Sequence, residues 1–196
     1  MKKSFKRLAA VAMMLAASSA MTVNAQLLSA KPNVHFGIRG GLSVSSYSPD
    51  YMDSKAFPTA GLAVDFKVAP FPLYLETGTY FVNKGYKYAN SWDAGKDSED
   101  CLGIEVPFVA SYHHYFTDKM SIQPFFGGFF SYTFGDRMDE PDYGLRFGTG
   151  FNYGRAYANI GYDLGLKNWN SDYSELPSCH SGFFFVTIGY NFVGSK

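Results

Sequence analysis

Residues 34–45 read VHFGIRGGLSVS. Successive side chains on a strand point to opposite faces. Val34, Phe36, Ile38, Gly40, Leu42 and Val44 therefore share one side, and His35, Gly37, Arg39, Gly41, Ser43 and Ser45 the other. One face is apolar, and the charge and most of the small residues sit opposite. A strand that crosses a bilayer within a barrel needs this split, because its outer face meets lipid while its inner face can be small or polar.

The pattern recurs seven times. Leu62, Val64, Phe66 and Val68 oppose Gly61, Ala63, Asp65 and Lys67, and Leu73, Leu75, Thr77, Thr79 and Phe81 oppose Tyr74, Glu76, Gly78 and Tyr80. Ile104, Val106, Phe108, Ala110 and Tyr112 oppose Glu105, Pro107, Val109, Ser111 and His113. The same alternation runs through 122–134, 143–153, 156–165 and 183–192. Pro107 and Pro124 each lack a ladder donor, which predicts a strand end or a bulge at both.

With 19 Phe, 15 Tyr and 20 Gly, the composition describes strands and turns. A soluble sandwich shares that profile, but it packs its apolar faces together and leaves its charges in water. Here every ionisable residue well inside a strand, His114 excepted, lies opposite a large aromatic-rich apolar face. The connections alternate as well. They are short at 69–72, 117–119 and 154, and long at 46–57, 87–101, 135–142 and 167–180. Outer-membrane barrels have short periplasmic turns and long external loops. The expectation is an all-β, eight-stranded antiparallel up-and-down transmembrane barrel with its N-terminus in the periplasm.

The first 25 residues stand apart. Lys2, Lys3, Lys6 and Arg7 precede an apolar run from Leu8 to Val23, and Val23-Asn24-Ala25 offers small residues for cleavage, the pattern of a signal peptide. That run is too short for the roughly 20 residues a transmembrane helix needs. Residues 1–25 are thus expected to be removed, leaving 26–196 as one barrel domain. Four of the 17 basic residues leave with the signal, so 13 remain against 17 acidic ones, and nucleic acid is not an expected partner.

Several stretches resemble the PorT-like outer-membrane β-barrel family: GIRGGLSVSS from Gly37, YFVNKGYKY from Tyr80, LGIEVPFVASYHHYF from Leu102, IQPFFGGFFSYTFG from Ile122, DYGLRFGTGFNYG from Asp142 and the ending FFFVTIGYNF. The resemblance covers almost the whole mature chain. It implies an outer-membrane barrel, with a link to protein secretion in some relatives. The terminal GYNF resembles the aromatic end by which barrel-assembly machinery recognises its clients, although Val193 to Lys196 follow it.

Eight inward charges are expected in the lumen: Arg39, Lys67, Lys84 and Arg146 against Asp65, Glu76, Glu105 and Asp163. They suit either a neutral network plugging a lumen only as wide as its side chains, or a narrow pore or ligand pocket. The inward glycines leave room for either. Cys101 and Cys179 fall at the external rim and are a candidate disulfide in an oxidising compartment, provided the loops fold over the mouth. They do not have the spacing of a zinc site, and no metal or cofactor is expected.

Among the histidines, His35 and His113 face inward near the periplasmic end and His114 faces outward. His180 lies near Glu175, Ser178 and Ser181, a trio too loosely placed to be read as catalytic. The acidic runs 97–100 and 136–142 are external and suit solvated loops, a divalent cation or a basic protein partner. The expected function is non-enzymatic: an integral outer-membrane protein in contact with lipid, with a structural or interaction role through its loops. A small pore or ligand-transfer channel, a secretion-associated barrel and a membrane-embedded lipid hydrolase stand as alternatives.

Overall fold

The computed structural model describes residues 34–48, 52–88, 98–134, 141–168 and 179–193. The expected signal peptide, much of the expected long loops and the last three residues lie outside that set.

Eight long strands follow in order: β1 (Val34–Tyr47), β2 (Ala56–Lys67), β3 (Leu73–Asn83), β4 (Leu102–Tyr112, resuming as His114–Thr117), β5 (Met120–Thr133), β6 (Pro141–Tyr153), β7 (Ala156–Gly165) and β8 (Ser181–Val193). Each pairs antiparallel with the next. β8 returns to β1, with Leu42 opposite Val186 and Ser43 opposite Phe185, and the ring of eight is closed. Closure leaves no sheet edge with unpaired backbone groups, the condition for crossing lipid with strands.

The distribution of side chains settles between sandwich and membrane barrel. Leu42, Phe81 and Ile188 on the outer face are 60%, 67% and 70% exposed, whereas Arg146 and Glu105 inside are 8% and 1% exposed. A soluble protein inverts that order. Ile104 and Val106 also face outward but are covered by the neighbouring rings of Tyr132 and Phe134.

Both prolines lie within strands, and neither produces a bulge. Between β3 and β4 the ladder omits Gly78 and Thr79 opposite Val106 and Pro107, then resumes in the same register. Between β4 and β5 it omits Tyr112 and His113 opposite Gln123 and Pro124. Each missing donor is absorbed as a gap in one ladder while the other side of the strand stays paired. The second gap is why β4 breaks at His113, whose backbone N–H instead donates to Pro72 O at 2.9 Å.

The long-loop end carries structure that the sequence reading leaves as loop. Met52–Asp53, Tyr86–Tyr88 and Ser98–Glu99 form a separate three-stranded antiparallel sheet. At the opposite end the turns are tight. Gly154, between β6 and β7, has φ of 59°, a conformation that costs a residue with Cβ about 1–2 kcal/mol.

Candidate functional site

The site-forming region is the lumen, and the inward alternation of each strand fills it. Arg146 on β6 holds Asp163 on β7 through two bonds, Nε to Oδ1 and Nη2 to Oδ2, both 2.6 Å. Its Nη2 also donates to Glu105 Oε1 on β4 at 2.5 Å. Lys84, just beyond β3, continues the chain: Nζ lies 3.1 Å from Glu105 Oε2 and 3.2 Å from Asp142 Oδ2, and it donates to Ser131 Oγ at 2.7 Å. Ser181 on β8 donates to the same Asp142 oxygen at 3.1 Å. Five charged groups, from the end of β3 and from β4, β6 and β7 on either side of β5, thus form one buried network across the bore.

Aromatic rings complete the packing. Lys84 lies over Phe129 and Phe183 at 4.4 and 4.6 Å, and Arg146 over Phe185 at 4.5 Å, so both cations are screened by π faces. Phe125 and Phe185 stack with centroids 6.4 Å apart and pack with Val109. The inward glycines make this possible: a Cβ on Gly161 would meet Phe185 Cζ at 2.5 Å, and one on Gly148 would meet Phe125 Cζ at 2.6 Å. The space expected to serve long charged side chains is shared with rings.

Of the eight expected lumen charges, Lys84, Glu105, Arg146 and Asp163 enter this network. Lys67 does not: it is half-buried at the short-turn end with no ion pair among the described residues. Arg39 is buried but lies over the Tyr157 ring at 4.0 Å and donates to its neighbour's carbonyl, Ile38 O, at 3.1 Å. Glu76 is buried with no ion pair among the described residues. Asp65 turns to two histidines. The member that the sequence reading misses is Asp142, assigned there to an acidic external run. It lies within β6 and is fully buried. Carrying the Gly144, Arg146 alternation back one step would have found it.

Among the described residues, two spaces lie inside the lumen. One, beside Glu76, Glu105, Arg146 and Asp163, offers about 30 Å³ to the centres of water molecules, and the other, at the short-turn end, about 70 Å³. The first has room for two or three waters, given that each needs roughly 10–15 Å³ by that measure.

The short-turn end holds a second polar cluster. His35 on β1 stands opposite Asp65 on β2 in the ladder, with Nδ1 3.1 Å from Asp65 Oδ2. His113 Nε2 lies 3.7 Å from that oxygen and 3.2 Å from Ser111 Oγ. The His113 ring stacks on Tyr74 at 3.7 Å with 8° between planes. His114 faces outward, edge-on to Phe116 at 5.0 Å.

At the long-loop end, Cys101 and Cys179 are both buried thiols in one cluster with Tyr47, Tyr86 and Phe183. Burial, helped by the nearby Glu99 and Asp100, pushes the Cys101 thiol up to about 11, and burial raises Cys179 as well. Asn83 Oδ1 accepts from the backbone N–H of Gly85 and Cys101, at 3.0 and 2.9 Å. Asp100 accepts from Lys55 Nζ at 2.9 Å and Asn83 Nδ2 at 3.1 Å, bonds that hold its carboxyl below the usual range. The Ser48 backbone N–H donates to His180 O at 3.2 Å and the His180 N–H to Ser48 Oγ at 3.3 Å, while the Ser181 hydroxyl points inward to Asp142. Glu175 and Ser178 lie outside the described residues.

No family model matches the chain, and neither does any curated protein. Among solved structures the chain is similar to Ail, the attachment invasion locus protein of Yersinia pestis, with a TM-score of 0.42 and 12% identity over 81% of this chain and 98% of that one. It is similar to Neisserial surface protein A, NspA, with 0.44 and 11% over 80% and 97%. It is also similar to the N-terminal β-barrel domain of Pseudomonas aeruginosa OprF, with 0.40 and 10% over 82% and 98%.

Proposed function

We propose that the chain is a non-enzymatic integral barrel of the outer membrane. In this reading its lumen is a structural plug, and its working surface is the long-loop end, presented outside the cell. The observation that carries the reading is the Asp142–Lys84–Glu105–Arg146–Asp163 network, which ties β3, β4, β6 and β7 together across the bore. A conduit through such a lumen would have to separate charge pairs buried away from water, at a cost of several kcal/mol each. Lipid on the apolar belt, assembly machinery acting on the C-terminal strand, and a protein or cation at the loop end are the partners this reading implies.

The test is reconstitution in planar bilayers and liposomes, with heat-dependent gel mobility used first to show that the barrel is folded. No stepwise current and no solute-driven swelling are expected. Regular unit conductance would sink the plug and favour the alternative, a small pore or transfer channel, which the two interior spaces support. The PorT-like resemblance supports a secretion-associated role. Loss of secreted cargo on deletion, with the membrane intact, would favour it.

A further inference from the structure

The His35, Asp65 and His113 cluster has the composition of a metal site. Two imidazoles and one carboxylate offer one donor atom each, all within 4.8 Å of one another. Zinc bonds of about 2.0–2.1 Å arranged tetrahedrally put neighbouring donors roughly 3.3 Å apart. The two measured edges, 3.1 Å from His35 Nδ1 to Asp65 Oδ2 and 3.7 Å from His113 Nε2 to the same oxygen, bracket that value. The third edge, between the two imidazoles, is no longer than 4.8 Å, so rotations that draw the two rings together would place an ion among the three.

The scaffold favours preorganisation. All three residues come from rigid wall positions: His35 and Asp65 are cross-strand partners, and His113 is clamped by Tyr74 stacking and by its backbone bond to Pro72. Glu76, opposite Asp65 on β3, adds a second carboxyl group to the same wall. Access is present. His35 and Asp65 line the polar space at the short-turn end, together with Arg39, Asp118, Lys119 and Gln123, and His113 lies fully buried behind them. That space has room for the water that would complete a three-ligand coordination sphere.

We infer that His35, Asp65 and His113 bind a divalent transition-metal ion of borderline softness at the short-turn mouth of the barrel, with His35 Nδ1, His113 Nε2 and Asp65 Oδ2 as ligands. Imidazole and carboxylate together suit zinc and its first-row neighbours better than magnesium or calcium, which take oxygen alone.

The test uses the full mature chain, folded in detergent and stripped with a chelator, titrated with Zn²⁺ against a chromogenic competitor. Co²⁺ serves as a spectroscopic probe of tetrahedral coordination. One equivalent should bind, and Zn²⁺ should raise the unfolding temperature, since a ligand of the folded state stabilises it. Asp65→Asn keeps a hydrogen-bond acceptor for His35 and so preserves a merely structural role. His35→Gln removes a ligand whose side chain is only 13% exposed and replaces it with a polar side chain of similar length. Each should weaken Zn²⁺ at least about tenfold and abolish the thermal shift, while His180→Ala at the opposite end should change neither. Heat-dependent mobility reports the folding of every variant. Absence of saturable Zn²⁺ binding by the folded wild type, or binding equally tight in the Asp65→Asn and His35→Gln proteins, would overturn the assignment.

Discussion

At the scale of single residues, Arg146 carries the largest consequence. It is buried, bonded twice to Asp163 and once to Glu105, and only Glu105 keeps another cation, Lys84, if it is lost. Arg146→Met should therefore destabilise the folded barrel by about 3–5 kcal/mol, the usual consequence of stranding a buried charge. Urea titration in detergent or lipid measures it. Asp163→Asn in the same chain should recover part of the loss, because the two sites share one interaction and cannot be additive; full additivity would mean the pair is not coupled. The sequence placed Arg146, Glu105 and Asp163 on the inner face through alternation alone. It could not show which charges meet, since that depends on strand stagger around the ring. Lys67 illustrates the point: it has the same parity as Asp65 but sits too near the short-turn end to reach the network.

At the scale of elements, the long strands were legible because each has a face that repels water. The short Met52–Asp53, Tyr86–Tyr88 and Ser98–Glu99 pieces were not, because two or three residues are too few to display a period. Two predictions belong here. Gly154 turns β6 into β7 with positive φ, so Gly154→Ala should cost about 1 kcal/mol in the same urea assay, and no loss would show that the turn relaxes freely. The second concerns Cys101 and Cys179. They precede strands four apart in the ring, yet both are buried in the cluster around Tyr47. We predict a single disulfide in protein taken from the cell envelope, read as a reduction-dependent shift in mass, and worth about 2–4 kcal/mol. With the Cys101 thiol pushed up to about 11, little thiolate exists at neutral pH, so closure should need an oxidase and be slow in air. Two alkylatable thiols in denatured envelope material would refute it.

At the scale of the whole molecule, the apolar belt and the direction of insertion decide what the barrel can do. Leu42 lies near the middle of β1, faces outward and is 60% exposed. Leu42→Arg should destabilise the bilayer-inserted barrel by roughly 2–4 kcal/mol, the figure for a cation on the lipid face at mid-depth, and by much less in a small detergent micelle that water can penetrate. The orientation proposed for the barrel rests on its connections. Turns at 69–72, 117–119 and 154 can cross a membrane last or not at all, whereas the long connections hold the short three-stranded sheet and the cysteine cluster. A protease site or epitope inserted between residues 89 and 97 should be accessible on intact cells, and the same insert within 69–72 should be accessible only after the outer membrane is opened. The reverse result would place the loop end in the periplasm. The His35, Asp65 and His113 cluster would then face the medium, and a metal bound there would be drawn from outside the cell rather than from the periplasmic pool.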